Sequence, residues 1–236
     1  MFKLSFKLLG ICLLIGTNLM AQKGLKMGPQ LTFLSSRPYV IDSLPSNFNF
    51  RFKSGFRAGM TMQYGFSDRF VLSSGLFYTN KGYRLYNDTN SSGNVIKHNS
   101  GLIELPVNLH FKLRFGSSSK MRFVIGGSMN YIIQNTEHEI RNAGNNFIVK
   151  ETHDQAIYPM LNSGVEIASE NVSGNVFVFG VYYNQSFANQ TLIGVRTNSS
   201  QTQDYFKLGY RGTYIGIGLS YLFNLKNFKK EEVFFY

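Results

Sequence analysis

From residue 24 onward, apolar side chains alternate with small or polar ones at a period of two, in one segment after another. In Gly55 to Phe66 the positions Phe56, Ala58, Met60, Met62, Tyr64 and Phe66 are apolar, while Gly55, Arg57, Gly59, Thr61, Gln63 and Gly65 are small or polar. Successive side chains of a strand point to opposite faces, so this segment has one face in oil and one among polar groups. Leu102 to Arg114 does the same with opposite parity: Ile103, Leu105, Val107, Leu109, Phe111 and Leu113 alternate with Glu104, Pro106, Asn108, His110, Lys112 and Arg114.

Such segments can be placed at about 24–34, 54–66, 69–86, 98–114, 120–135, 154–169, 172–187 and 204–223. The connections between them alternate in length. Those around Ser67-Asp68, Gly116 to Ser119 and Glu170-Asn171 are short, whereas Ser35 to Lys53, Asn87 to Lys97, Thr136 to His153 and Ala188 to Gln203 are long and polar. Up-and-down membrane barrels have short periplasmic turns and longer outer loops, with both termini on the periplasmic side when the strand number is even. A soluble sandwich has no reason to sort its loops in this way. The pattern therefore predicts an all-β fold: a single eight-stranded antiparallel up-and-down transmembrane β-barrel with short periplasmic turns and long extracellular loops. Several segments exceed the nine to eleven or so residues that span a bilayer at a steep tilt, so their surplus is expected to project as ribbon into the loops.

Composition agrees with a lipid-facing sheet. Only 16% of residues are charged, against about 25% in ordinary soluble chains, and 15% are aromatic. After Gln22 no stretch approaches the roughly 20 apolar residues of a membrane-crossing helix. Residues 1–21 read as a secretory signal, with Lys3 and Lys7 at the positive start, Leu8 to Ile15 as the apolar stretch and Leu19-Met20-Ala21 as the cleavage site. The expected layout is thus a signal peptide at 1–21, a barrel at 22–223 and a short periplasmic tail at 224–236. Cys12 is the only cysteine and follows Ile11 inside the apolar stretch, which argues against lipidation. The formal charge of +11 falls to +9 without Lys3 and Lys7, but the basic residues are dispersed, and an exported protein meets anionic lipid and lipopolysaccharide rather than nucleic acid.

If the apolar parity faces lipid, Lys26, Arg57, Glu104, His110, Lys112, Arg122 and Glu166 point into the barrel or lie at its periplasmic rim. An eight-stranded barrel is only wide enough for side chains to fill it, and buried charges must pair. Glu104 and Glu166 are expected to contact Arg57, Arg122 or Lys26, forming a structural plug. Glu137-His138-Glu139 and His153-Asp154 share one loop, but no zinc motif is completed, and His98 stands apart. A lipid-modifying barrel hydrolase would need a serine, a histidine and an acid within reach of one another; no serine sits in a strained nucleophile turn, so no catalysis and no cofactor are expected. Gly216-Ile217-Gly218 lies within an alternating strand with no helix after it, so it reads as close strand packing rather than a dinucleotide fingerprint.

Three stretches carry a resemblance: Leu102-Ile103-Glu104-Leu105-Pro106-Val107, Leu76-Phe77-Tyr78-Thr79-Asn80-Lys81-Gly82-Tyr83, and Gly24-Leu25-Lys26-Met27-Gly28. Together they resemble the PorT-like outer-membrane β-barrel family, which shows a strand ending in Y-x-x-K-G followed by one containing E-[IL]-P. The resemblance implies a multi-pass barrel in the outer membrane, placed there by the barrel-insertion machinery, non-enzymatic, and, after the family's namesake, an accessory component of type IX protein secretion with secretion-system proteins as partners. A calyx-type barrel binding a lipid or small hydrophobic ligand, or a lipid-modifying barrel enzyme, is the alternative. Two features depart from the usual barrel pattern: Trp is absent, and the chain continues past the strand aromatic Phe223 to an apolar end, Val233-Phe234-Phe235-Tyr236.

Overall fold

The computed structural model describes residues 24–36, 39–40, 48–87, 94–114, 119–134, 139–142, 147–153, 156–187, 191–198 and 203–225. The expected signal peptide and residues 226–236 of the expected tail lie outside these. The described strands are β1 (Leu25–Ser36), β2 (Tyr39–Val40), β3 (Phe48–Arg51), β4 (Lys53–Gly65), β5 (Phe70–Asn87), β6 (Asn94–Arg114), β7 (Ser119–Gln134), β8 (Glu139–Asn142), β9 (Phe147–His153), β10 (Ile157–Glu170), β11 (Val176–Ser186), β12 (Thr191–Asn198), β13 (Gln203–Tyr210) and β14 (Tyr214–Asn224).

Eight of them form a closed antiparallel ring in chain order: β1, β4, β5, β6, β7, β10, β11 and β14, with β14 pairing back onto β1. Closure leaves no sheet edge within the wall, which is what lets strands cross a medium that offers no hydrogen bonds. Exposure follows the alternation inside out. Phe33 is 62% exposed, Ile125 59% and Val107 57%, whereas Arg57, Arg122, Glu104 and Glu166 are all below 10%. The apolar parity thus faces outward around the ring and the polar parity inward.

Local chemistry sets the turns. At Ser67 the hydroxyl accepts from the backbone N–H of Arg69 (3.2 Å) and Phe70 (2.9 Å), closing the β4–β5 turn. In the β10–β11 turn Asn171 accepts on its side chain from the Asn175 N–H (2.9 Å), and Gly174 adopts a φ of 76°, open to glycine without strain. Pro106 has no N–H to give. The β5–β6 register accordingly runs from Ser74↔Val107 to Phe77↔Glu104 with Leu105 and Pro106 skipped, and the Ser74 hydroxyl donates to the Pro106 carbonyl at 2.9 Å. A similar skip interrupts the β1–β14 seam at Gly28-Pro29.

Two expectations need correcting. The segment 204–223 is not one strand: the chain breaks at Arg211-Gly212-Thr213, where Gly212 has a φ of 68°. Only β14 belongs to the ring. β13 joins a second sheet, of five strands in the order β2-β13-β12-β9-β8. The long connections are therefore not simply polar loops. Three of them contribute strands to this sheet at the long-loop end, and β3 pairs with the far end of β5. As expected, β5 and β6 do run on as a ribbon, paired as far as Asn87↔Asn94.

Candidate functional site: the barrel lumen

The inward side chains stack in layers along the barrel. At the short-turn rim, Glu170 bridges Lys26 (2.5 Å) and Lys120 (2.9 Å). Lys112 also lies at this rim, its Nζ donating to the Ser67 carbonyl at 3.2 Å. Of the three cations offered as partners for Glu104 and Glu166, Lys26 takes neither but pairs with Glu170, a carboxylate that strand parity alone did not single out.

The next layer is built around Glu166. One oxygen lies 3.1 Å from His110 Nδ1 and 3.8 Å from Arg122 Nη1; the other accepts from the Tyr182 hydroxyl at 2.9 Å. Arg122 Nη1 also donates to Gln63 Oε1 at 2.9 Å. On its far side, His110 Nε2 is 2.7 Å from Ser73 Oγ. The ring thus places a serine, a histidine and a glutamate in the order and spacing of a nucleophile, a base and its orienting acid. Sequence reasoning did not find Ser73. All three groups are under 5% exposed, and the cavity they border, shared with Arg57, Asn108 and Tyr214, holds only about 30 Å³ of free space, room for a water or two.

Above that cavity Arg57 Nε lies 3.1 Å from Glu104 Oε1, and the guanidinium sits 3.4 Å from the centroid of the Phe77 ring. The other Glu104 oxygen accepts from Thr79 (3.2 Å) and Tyr214 (3.3 Å). Each ion here would carry a desolvation cost of several kcal/mol, offset only if its partners are close and its lone pairs filled. Glu104 meets both conditions.

Higher still, the lumen becomes aromatic. Lys81 is fully buried; its ammonium donates to the Gly212 carbonyl at 2.7 Å and lies 5.1 Å from the Tyr214 ring and 5.6 Å from the Tyr158 ring. Tyr83, His98 and Tyr210 close the top, with Tyr83 stacked on His98 at 5.0 Å and tilted against Tyr210 at 5.4 Å. Lys53 reaches the His98 carbonyl (2.6 Å) and the Asn99 side chain. Lys81, Lys53 and these tyrosines were not anticipated. The side chains of Glu137, His138, Glu139, His153 and Asp154, considered as a metal cluster, lie outside the described ones.

A family described as "Outer membrane protein beta-barrel domain" matches residues 17–230, nearly the whole chain. The chain belongs to this family. Among solved structures it is similar to the outer membrane protein OprG of Pseudomonas aeruginosa, at 12% identity and a TM-score of 0.55, covering 87% of this chain and 99% of that one. It is also similar to Ail of Yersinia pestis, crystallised with the heparin analogue sucrose octasulfate, at 12% identity and a TM-score of 0.38, covering 85% of this chain and all of that one. No curated protein matches the chain. Family and fold together place this outer-membrane barrel protein in the outer membrane.

Proposed function

We propose that this outer-membrane barrel is a closed, non-conducting membrane anchor that acts by holding and displaying binding surfaces, and that it serves protein secretion in the manner of the PorT-like family it resembles. The supporting observation is the filled lumen. Arg57 and Glu104 pair at its middle, and the Tyr83, His98 and Tyr210 rings pack at the long-loop end. A pore would need that space for water and ions, and a calyx for an oily ligand would need apolar walls where this lumen has ion pairs. What remains for contact with other proteins is the five-stranded sheet at the long-loop end, expected outside the cell, and the tail beyond residue 225. Two measurements test the reading. Planar-bilayer recordings of the refolded barrel are expected to show no steady conductance; large stable channels would overturn closure. Deleting the gene is expected to impair export of secreted proteins to the cell surface; unchanged export would remove the secretion role while leaving the anchor.

One observation favours a second reading, a lumenal hydrolase: the Ser73–His110–Glu166 array. Its weakness is space, since a pocket for a water or two admits no acyl chain. A fluorophosphonate probe separates the two readings. Labelling that disappears in Ser73→Ala would favour the hydrolase; the closed-anchor reading expects none.

A further inference from the structure

At the short-turn end the lumen opens into a mouth of about 400 Å³ where, among the described residues, Lys26, Lys112, Lys120 and Arg122 face two carboxylates, Asp68 and Glu170. Both Glu170 oxygens are taken by Lys26 and Lys120. Lys112 has a backbone carbonyl for its described hydrogen bond. Among the described residues the carboxylate paired with Arg122 is Glu166 at 3.8 Å, and Glu166 is already engaged by His110 and Tyr182. Arg122 is 4% exposed, and its Nε has no hydrogen-bond partner among the described residues. A buried donor of this kind is costly unless something accepts from it.

The register sharpens the point. Lys112 stands directly opposite Arg122 in the β6–β7 ladder. Like charges facing each other across a ladder destabilise it. This pair, both of whose members line the mouth, amounts to a repulsion that an anion seated beside it would relieve.

We infer that this mouth binds a phosphate group, held chiefly by Lys112 and Arg122. The four cations exceed the two carboxylates by two charges, which a phosphomonoester or inorganic phosphate supplies at neutral pH and a single carboxylate does not. Charge-assisted bonds from a lysine and an arginine suit its oxygens. The phosphate comes either from the headgroup of a lipid in the adjoining leaflet or from solution. The inference stands on the mouth alone and does not depend on whether the lumen conducts or catalyses.

The test uses the whole barrel refolded in a glucoside detergent, which contains no phosphorus, and phosphorus NMR. Inorganic phosphate is titrated at constant ionic strength; in parallel, the barrel is placed in phosphatidylcholine nanodiscs with and without phosphatidic acid. A saturable shift of the inorganic phosphate signal identifies a soluble ligand. A shift confined to the phosphatidic acid signal identifies the lipid headgroup. In either arm Lys112→Gln, at a half-exposed rim position, should weaken binding about tenfold, as expected for losing one charge-assisted bond. Arg51→Gln, exposed at the opposite end, should leave it unchanged. No saturable response in either arm, or a response that Lys112→Gln leaves intact, overturns the inference.

Discussion

Arg57 on β4 and Glu104 on β6 lie on strands that do not touch, separated by β5, yet Nε and Oε1 meet at 3.1 Å inside the barrel. The pair ties the wall across the lumen. Breaking a buried ion pair by removing one partner typically costs about 3–5 kcal/mol, because the survivor stays buried and uncompensated. Glu104→Gln should therefore lower unfolding stability in urea by that order. Arg57→Met combined with Glu104→Leu, which removes both charges, should cost clearly less; an equal cost would show that the charges themselves are not what the site depends on.

Gly28 marks the seam where the barrel closes. A Cβ built there would lie 1.8 Å from the Tyr221 carbonyl oxygen, on the backbone of the facing strand, which cannot swing aside as a side chain would. Gly28→Ala should force β1 and β14 apart and destabilise the barrel by about 1–3 kcal/mol, the usual range for overpacking. The check is a lower temperature for loss of the compact band in heat-modifiability gels. An unchanged temperature would mean the seam is looser than its geometry.

Orientation can be read by labelling. In a Cys12→Ser background, which removes the chain's one thiol, single cysteines at Asp42, Thr89, Asn145 or Asn198 should react with an impermeant maleimide on intact cells. One at Ser118 should react only after the outer membrane is breached. The reverse pattern would turn the barrel upside down and put the basic mouth outside.

The Ser73–His110–Glu166 chain makes a narrower prediction about stability. Ser73→Ala removes one partner of a buried histidine and should cost about 1–3 kcal/mol by leaving that nitrogen unsatisfied. Ser73→Thr keeps the hydroxyl and should recover part of the loss. Urea unfolding in detergent distinguishes the two.

Much of the ring could be read from the alternation, because lipid on one side and packed polar groups on the other impose a strict parity. The ends of β4, β5 and β7 fall within a residue or two of the expected segments for that reason. What parity cannot supply is height. An inward residue meets whatever lies at the same level on other strands, and that level depends on the stagger between strands. Glu104 and Glu166 could thus be assigned to the lumen, but Lys26 meeting Glu170, and Ser73 reaching His110, could not be deduced. Lys81 escaped for a different reason. Along β5 the inward residues are Phe77, Thr79, Lys81, Tyr83 and Leu85, so the inside is itself largely apolar there and the contrast that reveals a lumen position vanishes. The break before β14 was hidden because Gln203 to Tyr210 carries strand residues of its own, serving a different sheet.

That second sheet bears on how the protein could be recognised. Its five strands are drawn from three connections far apart in sequence: β2 from the first, β8 and β9 from the third, and β12 and β13 from the last. Three loops are joined through two pairings, β2 with β13 and β12 with β9. A synthetic peptide copying any one loop would lack the pairings between loops that complete the sheet. An antiserum raised against the intact barrel should therefore lose most of its reactivity on denaturation, and loop variation that preserves the surface would have to occur in matched sets.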